Sequence, residues 1–354
     1  MSTATRFPLP SVPIICAPMA GGPSTPELIA AVGAAGGLGI IPGGYLSPEG
    51  LAEKIAATRS LGASIIAVNL FVPGGSPAAP GVVGRYRETL AADAERAGVT
   101  LPQDPHFDDD HFPGKFDVLL RERVDAVTFT FGVPHDDALA RLSAAGIATA
   151  ATLSSAADLD AVLERPVDAV VVQGAEAGGH RSTFAVGEEP TDESTLELLR
   201  AAAGHPGLRG RPVIAAGGVT GPEFVRAALD AGASAVQAGT AFLLSAEAGT
   251  REAHRTALTE AGARGTRATR AFSGRPARSL VNTFLEAHDD DAPAAYPEVH
   301  HLTSPLRAAA ASRGDAEALS LWAGAGTADL VASLRNAGLG ERPGAAEVIE
   351  ALRP

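Results

Sequence analysis

A histidine at the end of a glycine-rich segment is the first candidate for catalysis. His180 closes the segment QGAEAGGH, residues 173–180, which directly follows an apolar run. A neutral imidazole near physiological pH can take or give a proton. Glu176 is a possible carboxylate partner, although a solvated loop carboxylate and a histidine that is merely hydrogen-bonded are open alternatives. No G-x-S-x-G element marks a serine nucleophile.

Two further glycine-rich segments are candidates for phosphate binding. Gly217-Gly218 and the stretch Gln237-Ala238-Gly239-Thr240 each follow an apolar run. Backbone amides after the last two strands of a β/α barrel commonly hold phosphate groups. The alternative is that these glycines only form tight turns. Neither segment resembles a Walker loop, and no strand-linked G-x-G-x-x-G indicates a Rossmann site.

Three runs resemble metal ligands, and none of them predicts a metal by itself. They are Asp108-Asp109-Asp110-His111, Asp289-Asp290-Asp291 and His300-His301. Consecutive side chains point in different directions, so solvated loops are the better interpretation of the acidic runs. We therefore expect no metal.

The elements that must position these residues are short apolar runs alternating with Ala/Leu-rich stretches. Most runs are apolar throughout, as is typical of strands buried on both faces. The eight predicted strands are Val12–Cys16, Gly37–Ile41, Ser64–Asn69, Ala126–Thr130, Ile147–Ala151, Ala169–Gln173, Pro212–Ala216 and Ala235–Gly239. Intervening helices are predicted over Pro26–Ala35, Pro48–Ser60, Asp136–Ala145, Ala156–Glu164 and Pro222–Ala231.

This alternation predicts an α/β fold, a (β/α)8 TIM barrel with a smaller, mainly helical C-terminal cap domain. We expect a barrel over residues 1–242, interrupted by an insertion at about 74–117 that has a helical stretch near Tyr86–Ala97. A helical substrate or cap domain is expected over 243–335. Residues 336–354 are expected to form a C-terminal helix that packs back on the barrel.

Composition and charge exclude several classes of protein. The chain has 354 residues, 45% of them hydrophobic and 19% charged, which is typical of a compact fold and not of a disordered chain. A net charge of −13 disfavours binding to nucleic acid or to an acidic membrane. Cys16 is the only cysteine, which excludes an internal disulfide and fits a reducing cytoplasm.

No targeting or membrane segment is expected. Met1–Pro13 contains one Arg and three prolines and does not resemble a secretory signal. The uncharged stretch Leu28–Leu46 is rich in glycine and predicts a helix, a turn and a buried strand rather than a membrane span.

Beyond these local patterns, the chain resembles the nitronate monooxygenase family, formerly called 2-nitropropane dioxygenases, which are FMN-dependent barrel enzymes. The resemblance spans nearly the whole chain. The segments that carry it are PIICAPMAGGPSTPEL (13–28), GGYLSPE (43–49), VNLFVP (68–73), VQGAEAGGHR (172–181), AAGGV (215–219), VQAGT (236–240), FSGRPAR (272–278) and LWAG (321–324). One departure is Cys16, where many relatives are expected to have Gln.

The resemblance implies a cofactor and a role for each matching residue. It implies FMN, with Ala17, Pro18 and Met19 under the flavin and with Asn69 and Gln173 bonding it through their side-chain amides. The remaining ring and phosphate contacts would come from Gly178, Gly217, Gly218, Gln237, Ala238, Gly239 and Thr240. His180 matches the catalytic histidine of the family.

The implied activity is the oxidation of alkyl nitronates, such as propionate 3-nitronate, with O2 to carbonyl compounds and nitrite. The partners are then a small nitronate or nitroalkane and O2, in a monomer or homodimer. An enoyl-acyl-carrier-protein reductase or NAD(P)H:quinone reductase shares the barrel and the Glu-Ala-Gly-Gly-His element, but Gln173 and the Tyr296-Pro297 and Leu321-Trp322 regions favour the monooxygenase. A non-catalytic flavin-binding protein would need no base at position 180. Arg275 and Arg278 either line the approach to the site or brace the cap through salt bridges.

Overall fold

A computed structural model describes residues 7–354. Residues 1–6, the first part of the segment predicted to lack a targeting signal, lie outside the described residues. The strands are β1 (Ile14–Cys16), β2 (Leu38–Pro42), β3 (Ala67–Phe71), β4 (Ala126–Thr130), β5 (Ala148–Leu153), β6 (Ala169–Gln173), β7 (Gly179–His180), β8 (Val213–Ala216), β9 (Ala235–Ala238), β10 (Thr266–Thr269) and β11 (Ala277–Leu280).

The helices lie between and after these strands. They are α1 (Pro26–Ala34), α2 (Pro48–Ser60), α3 (Val82–Thr89), α4 (Ala91–Ala97), α5 (Phe112–Glu122), α6 (Asp136–Ala144), α7 (Leu159–Leu163), α8 (Thr195–Ala203), α9 (Pro222–Asp230), α10 (Thr240–Leu243), α11 (Glu252–Thr259), α12 (Ala261–Arg264), α13 (Thr283–His288), α14 (Glu298–Arg313), α15 (Thr327–Asn336) and α16 (Ala345–Leu352). Short 3₁₀ turns occupy Ala156–Asp158, Pro206–Leu208 and Ala316–Ala318.

Eight parallel strands close into a barrel in the order β1-β2-β3-β4-β5-β6-β8-β9. The barrel closes where β1 pairs with β9, with Ile15 opposite Gln237. Nearly all side chains of these strands are buried, because helices cover the outside of the barrel and the inward-pointing side chains of the strands fill the inside. The predicted TIM barrel is confirmed.

The strand and helix bounds differ from the predicted ones by a few residues. The third strand begins at Ala67 and not at Ser64. Just before it, the Ile66 N–H donates to the Asp125 carboxylate at 2.7 Å, a side-chain contact in place of a ladder bond. The predicted helix Ala156–Glu164 is a 3₁₀ turn followed by the short helix α7.

The predicted helix starts are present. Thr25 and Ser47 cap α1 and α2 by accepting hydrogen bonds from the N–H groups of Leu28 and Gly50, and a proline opens each helix. Leu28–Leu46 forms α1, a turn and β2, as predicted. In the described part of the chain, no helix combines the length and the apolar character needed to cross a bilayer.

The segment after β3 contains three helices. The expected helix Tyr86–Ala97 is split at Leu90 into α3 and α4, and α5 runs on to Glu122, past the expected end of the insertion. Tyr86 and Leu90 pack in one apolar cluster with Phe284 and Val299 from the C-terminal region. This part of the chain therefore packs on residues that follow the barrel.

The chain after Phe242 contains strands that its sequence does not predict. β10 and β11 form an antiparallel sheet with β7, which belongs to the segment after β6. At the C-terminus α16 lies against α1, α9 and α10. The division into barrel, cap domain and C-terminal helix stays a prediction.

Candidate active site

A cavity of about 570 Å³ opens at the carboxyl ends of the barrel strands. Every residue that the sequence singled out for cofactor binding or catalysis lines it: Ala17, Pro18, Met19, Asn69, Gln173, Gly178, His180, Gly217, Gly218, Gln237, Ala238, Gly239 and Thr240. Parallel strands present their carboxyl ends on one face, so residues far apart in sequence meet there. The fold brings the candidates together, and their individual roles stay predictions.

His180 is held in a strand and not in a free loop. β7 pairs antiparallel with β11, with His180 opposite Ala277. The Arg181 N–H also donates to the Pro276 carbonyl at 2.8 Å. The FSGRPAR segment thus fixes the backbone that carries the candidate catalytic histidine.

The imidazole of His180 is partly buried among aromatic rings. The ring centroids of Trp322, Phe131 and Tyr296 lie 5.4, 5.8 and 6.0 Å from its own. Its Nε2 lies 2.9 Å from the Ser273 hydroxyl oxygen. Three aromatic rings and one serine hydroxyl therefore surround the imidazole where it lines the cavity.

The surroundings of Ser273 favour the tautomer of His180 that carries its proton on Nε2. The Ser273 hydroxyl donates to the Arg275 carbonyl at 3.2 Å. With its single proton used there, its oxygen can accept from His180 Nε2–H, 2.9 Å away. This tautomer leaves Nδ1 of His180 with the free lone pair.

The His180 side chain is neutral at physiological pH. Burial lowers its pKa to about 3, and the positive charges of Arg275 and Arg307 act in the same direction. A neutral imidazole with its proton on Nε2 can accept a hydrogen bond at Nδ1 without adding a charge to the site. An anionic ligand bound beside it would favour the protonated form.

Gln173 uses its side-chain amide to hold the histidine segment. Its Nε2 donates to the His180 carbonyl at 2.9 Å, and its Oε1 accepts from the Ser182 N–H at 2.8 Å. One amide hydrogen remains for a ligand. Gln173 therefore braces the β7 segment in addition to facing the cavity.

Asn69 has its amide nitrogen engaged within the barrel. Its Nδ2 donates to the Thr128 carbonyl and to the hydroxyls of Thr128 and Thr130, at 3.0–3.2 Å. The amide oxygen is the group that stays available as an acceptor. The threonines were missed from the sequence, because a threonine inside an apolar strand gives no signal of its own.

Four backbone donors surround the ends of β8 and β9. Among the described residues, the N–H groups of Gly217, Gly218, Gly239 and Thr240 donate no hydrogen bond to the protein. Buried or half-buried N–H groups normally have a partner. A cluster of free donors at one end of a cavity is suited to an anion with several acceptor oxygens.

Several glycines of the site are required by the protein's own packing. A Cβ on Gly178 would lie 2.5 Å from the Ala323 carbonyl carbon, and one on Gly217 would lie 2.9 Å from the Ala177 Cβ. Both positions therefore need glycine even without a ligand. A Cβ on Gly239 would make only an ordinary 3.5 Å contact with Ala17.

Glu176 is neither a partner of His180 nor a free loop carboxylate. It accepts from the N–H and the hydroxyl of Thr195, at 3.0 and 3.1 Å. Thr195 is the first residue of α8, so the carboxylate lies at the positive end of that helix. The hydrogen-bond partner of His180 is instead Ser273, which lies 93 residues further along the chain.

Within residues 7–354, neither candidate arginine braces the cap through a salt bridge. Arg275 donates to the carbonyl and hydroxyl of Thr183, and its guanidinium carbon lies 4.0 Å from the Phe131 ring centroid. Arg278 donates to the Ala175 carbonyl and the Thr266 hydroxyl. Both hold backbone segments around β7 through hydrogen bonds.

A second cavity of about 290 Å³ shares Tyr45, Phe71 and His300 with the first. Tyr45 has φ of 66°, a rare conformation for a residue with a side chain, and its N–H donates to the Asp110 carboxylate at 2.9 Å. Its ring stacks on His300 with centroids 4.1 Å apart. Sequence reasoning missed Tyr45, whose only signal is its place after two glycines.

The chain is similar in sequence to known proteins over most of its length. The family model described as "Nitronate monooxygenase" matches residues 7–337. A probable nitronate monooxygenase of Bacillus subtilis strain 168 is 35% identical over 321 residues, 90% of this chain and 91% of that protein. A probable nitronate monooxygenase of Staphylococcus aureus strain Newman is 34% identical over 319 residues, 88% of each chain.

Two solved structures are similar along almost the whole chain. The nitroalkane oxidase of Streptomyces ansochromogenes has a TM-score of 0.87 and 41% identity, covering 97% of this chain and 95% of its own. FabK of Thermotoga maritima has a TM-score of 0.71 and 25% identity, covering 97% and 92%.

Proposed function

The chain belongs to the nitronate monooxygenase family and is an oxidoreductase, and from this premise we propose that it uses FMN to oxidise alkyl nitronates with O2. The substrates are small nitronates of the propionate 3-nitronate type, and the products are carbonyl compounds and nitrite. We propose a monomer or homodimer that works in the cytoplasm. The observation that carries the proposal is the cavity shared by a neutral histidine and four free backbone donors.

The residues present fit FMN. The free N–H groups of Gly217, Gly218, Gly239 and Thr240 would hold its phosphate, since a phosphate offers several acceptors to converging amides. Ala17, Pro18 and Met19 would support the ring from the ends of β1. Asn69 would accept from the ring through its amide oxygen, and Gln173 would donate its remaining amide hydrogen.

Bound flavin supplies the electron transfer between an organic substrate and O2. This chain's own residues bind and orient the substrate. Once protonated beside the bound anion, His180 can donate one hydrogen bond from Nδ1 to a nitronate oxygen, and in the neutral form its Nδ1 lone pair can accept the proton of a neutral nitroalkane. Such a base is weak because of its low pKa. We therefore propose that the nitronate anion is the preferred substrate.

The aromatic rings around His180 keep the reacting region dry. Phe131, Tyr296 and Trp322 surround the imidazole. Excluding water strengthens the hydrogen bond between the imidazole and an anionic nitro group.

The test compares the wild-type protein with His180→Asn. We expect the purified wild-type protein to be yellow, to release FMN on denaturation, and to consume O2 and form nitrite when propionate 3-nitronate is added. His180→Asn should keep its FMN and lose at least about tenfold in kcat/KM, as expected for one lost hydrogen bond to a charged group. Unchanged turnover of both nitronate and nitroalkane in the variant would disprove the role of His180.

The rival functions predict different results in the same flavin and O2-consumption assays. An enoyl-acyl-carrier-protein or quinone reductase would bleach its flavin with NADPH under anaerobic conditions and would not respond to nitronate. A non-catalytic flavin-binding protein would be yellow without consuming O2. A colourless protein that takes up no FMN would contradict all three.

A further inference from the structure

Two histidines and one aspartate meet at a place that no part of the proposed chemistry uses. Nitrogen atoms of His106 and His301 and a carboxylate oxygen of Asp108 all lie within 4.8 Å of one another. His106 and Asp108 belong to the segment between α4 and α5, whereas His301 lies in the first turn of α14. Taken separately, the runs 108–111 and 300–301 predict no metal. The fold combines one residue of each with His106.

The geometry differs from that of a simple histidine–aspartate hydrogen bond. Asp108 Oδ2 lies 2.7 Å from His301 Nε2, which is one hydrogen bond, and 3.7 Å from His106 Nε2, which is too long for another. The two imidazole rings are nearly parallel, with an angle of 11° and centroids 5.2 Å apart. Two Nε2 atoms thus lie near the same carboxylate oxygen.

We propose that His106, Asp108 and His301 bind one divalent metal ion of the zinc type. Two imidazoles and a carboxylate are a donor set that Zn²⁺ accepts, with ligand bonds of roughly 2.0–2.2 Å. Neighbouring ligand atoms around a tetrahedral ion with such bonds lie about 3.4 Å apart. The contacts of Asp108 Oδ2 with His301 and His106, 2.7 and 3.7 Å, bracket that value, and all three ligand atoms lie within 4.8 Å of one another, so small side-chain shifts would bring them to one ion. A water molecule would take the fourth position.

The carboxylate is already oriented for this role. Its other oxygen, Oδ1, accepts from the Asp110 N–H at 2.9 Å. Outer contacts of this kind fix the direction in which a metal ligand points. Partial burial raises the pKa of Asp108, but the Asp110 N–H and His301 lower it by more, so the carboxyl group is ionised. Asp110 itself is paired with Lys115 Nζ at 2.7 Å and does not compete for the ion.

The position of the cluster gives the ion a structural role. Asp108 and His301 line the second cavity, which shares three residues with the main one. A bound ion would tie the segment between α4 and α5 to α14 at the edge of that cavity. This proposal replaces the expectation, drawn from the sequence, that the chain holds no metal, and it does not depend on the proposed activity.

The test uses untagged, full-length protein dialysed against a chelator and titrated at pH 7.5 with Co²⁺, a spectroscopic substitute for Zn²⁺. We expect one Co²⁺ per chain, a visible absorption band of a four-coordinate site, and its displacement by Zn²⁺. Zn²⁺ should also raise the melting temperature. Mg²⁺ should do neither, because it prefers octahedral oxygen ligands.

Three variants and one control assign the ligands. His106→Asn, Asp108→Asn and His301→Asn should each weaken Co²⁺ binding by more than about tenfold, since even an outer-shell partner is worth roughly 10–100-fold. His106 is exposed, so its variant tests the site without disturbing the fold. His111→Asn removes an exposed imidazole from the same segment and should bind as the wild type does. No stoichiometric Co²⁺ in the wild type, equal binding by His106→Asn, or equally weakened binding by His111→Asn would overturn the proposal.

Discussion

At the scale of single residues, the site depends on one neutral imidazole whose orientation is set by a serine. Burial lowers the pKa of His180 to about 3, and the Ser273 hydroxyl oxygen lies 2.9 Å from its Nε2. The serine does not need to touch the substrate to matter. Its hydrogen bond to Nε2 favours one tautomer and one orientation of the imidazole ring.

Replacing Ser273 with Ala should therefore reduce kcat on nitronates by about tenfold, the worth of roughly one hydrogen bond. FMN affinity should stay unchanged, because Ser273 holds the histidine and not the cofactor. The matched control is Ser279→Ala. Ser279 lies in β11, the strand that pairs with β7, and its buried hydroxyl accepts from the Leu321 N–H. Steady-state kinetics and an FMN titration separate the two variants. Equal kcat values for them would show that Ser273 has only a structural role.

At the scale of elements, the turn after β8 is shaped for a ligand. Gly217 and Gly218 have φ of 102° and 74°, which turns their N–H groups away from the ladder. Residues with a side chain rarely adopt such angles. The turn thus supplies donors that a regular strand would have used internally.

Gly218→Ala should weaken FMN binding by at least about tenfold. Its Cβ would lie 2.9 Å from the Phe224 ring and would strain a left-handed backbone, a cost of roughly 1–2 kcal/mol. Gly210→Ala is the control, because Gly210 has a nearly equal φ of 76° but open space around it and lies outside the cavity lining. Flavin fluorescence quenching on titrating FMN-free protein measures both. If Gly210→Ala weakened FMN binding as much, general destabilisation and not the turn would be the cause.

At the scale of the whole molecule, the fold holds several histidines in the neutral form. Burial lowers the pKa of His254 to about 4, although its hydrogen bond to the Trp322 carbonyl opposes the shift. His180 and His300 are shifted in the same direction. Below about pH 6.5 the histidines of the unfolded chain bind protons and those of the native chain do not. The free energy of unfolding therefore decreases as the pH is lowered. Asp158, whose pKa burial and nearby Glu residues raise to about 6, acts in the opposite direction.

The contribution of His254 can be isolated by substitution. His254→Gln keeps an N–H for the Trp322 carbonyl but does not titrate. The free energy of unfolding that is lost between pH 7 and pH 5 should become smaller by about 2 kcal/mol in this variant. The wild-type histidine contributes over roughly 1.5 pH units, from its unfolded pKa of about 6.5 down to pH 5, at about 1.4 kcal/mol per unit. Urea unfolding of FMN-free protein at pH 7 and pH 5 measures this difference in the free energy of unfolding. His135→Gln, on the exposed surface, should leave the difference unchanged. A variant that loses as much as the wild type would contradict the assignment.

The amino-acid sequence by itself determined the barrel and the face on which its cavity lies. Apolar runs such as Ala169–Gln173 and capped helices such as α1 are local patterns, and parallel strands must present their carboxyl ends together. This is why residues as distant as Met19, His180 and Thr240 were predicted to share one cavity, and they do.

Only the tertiary structure decided which side chains touch. The strand β7 that carries His180 exists because β11 pairs with it, and Ser273 rather than the nearby Glu176 is its hydrogen-bond partner. The cluster of His106, Asp108 and His301 likewise joins two segments nearly 200 residues apart. Such contacts depend on how the chain after the barrel packs on it, and no periodicity or spacing within a segment records that packing.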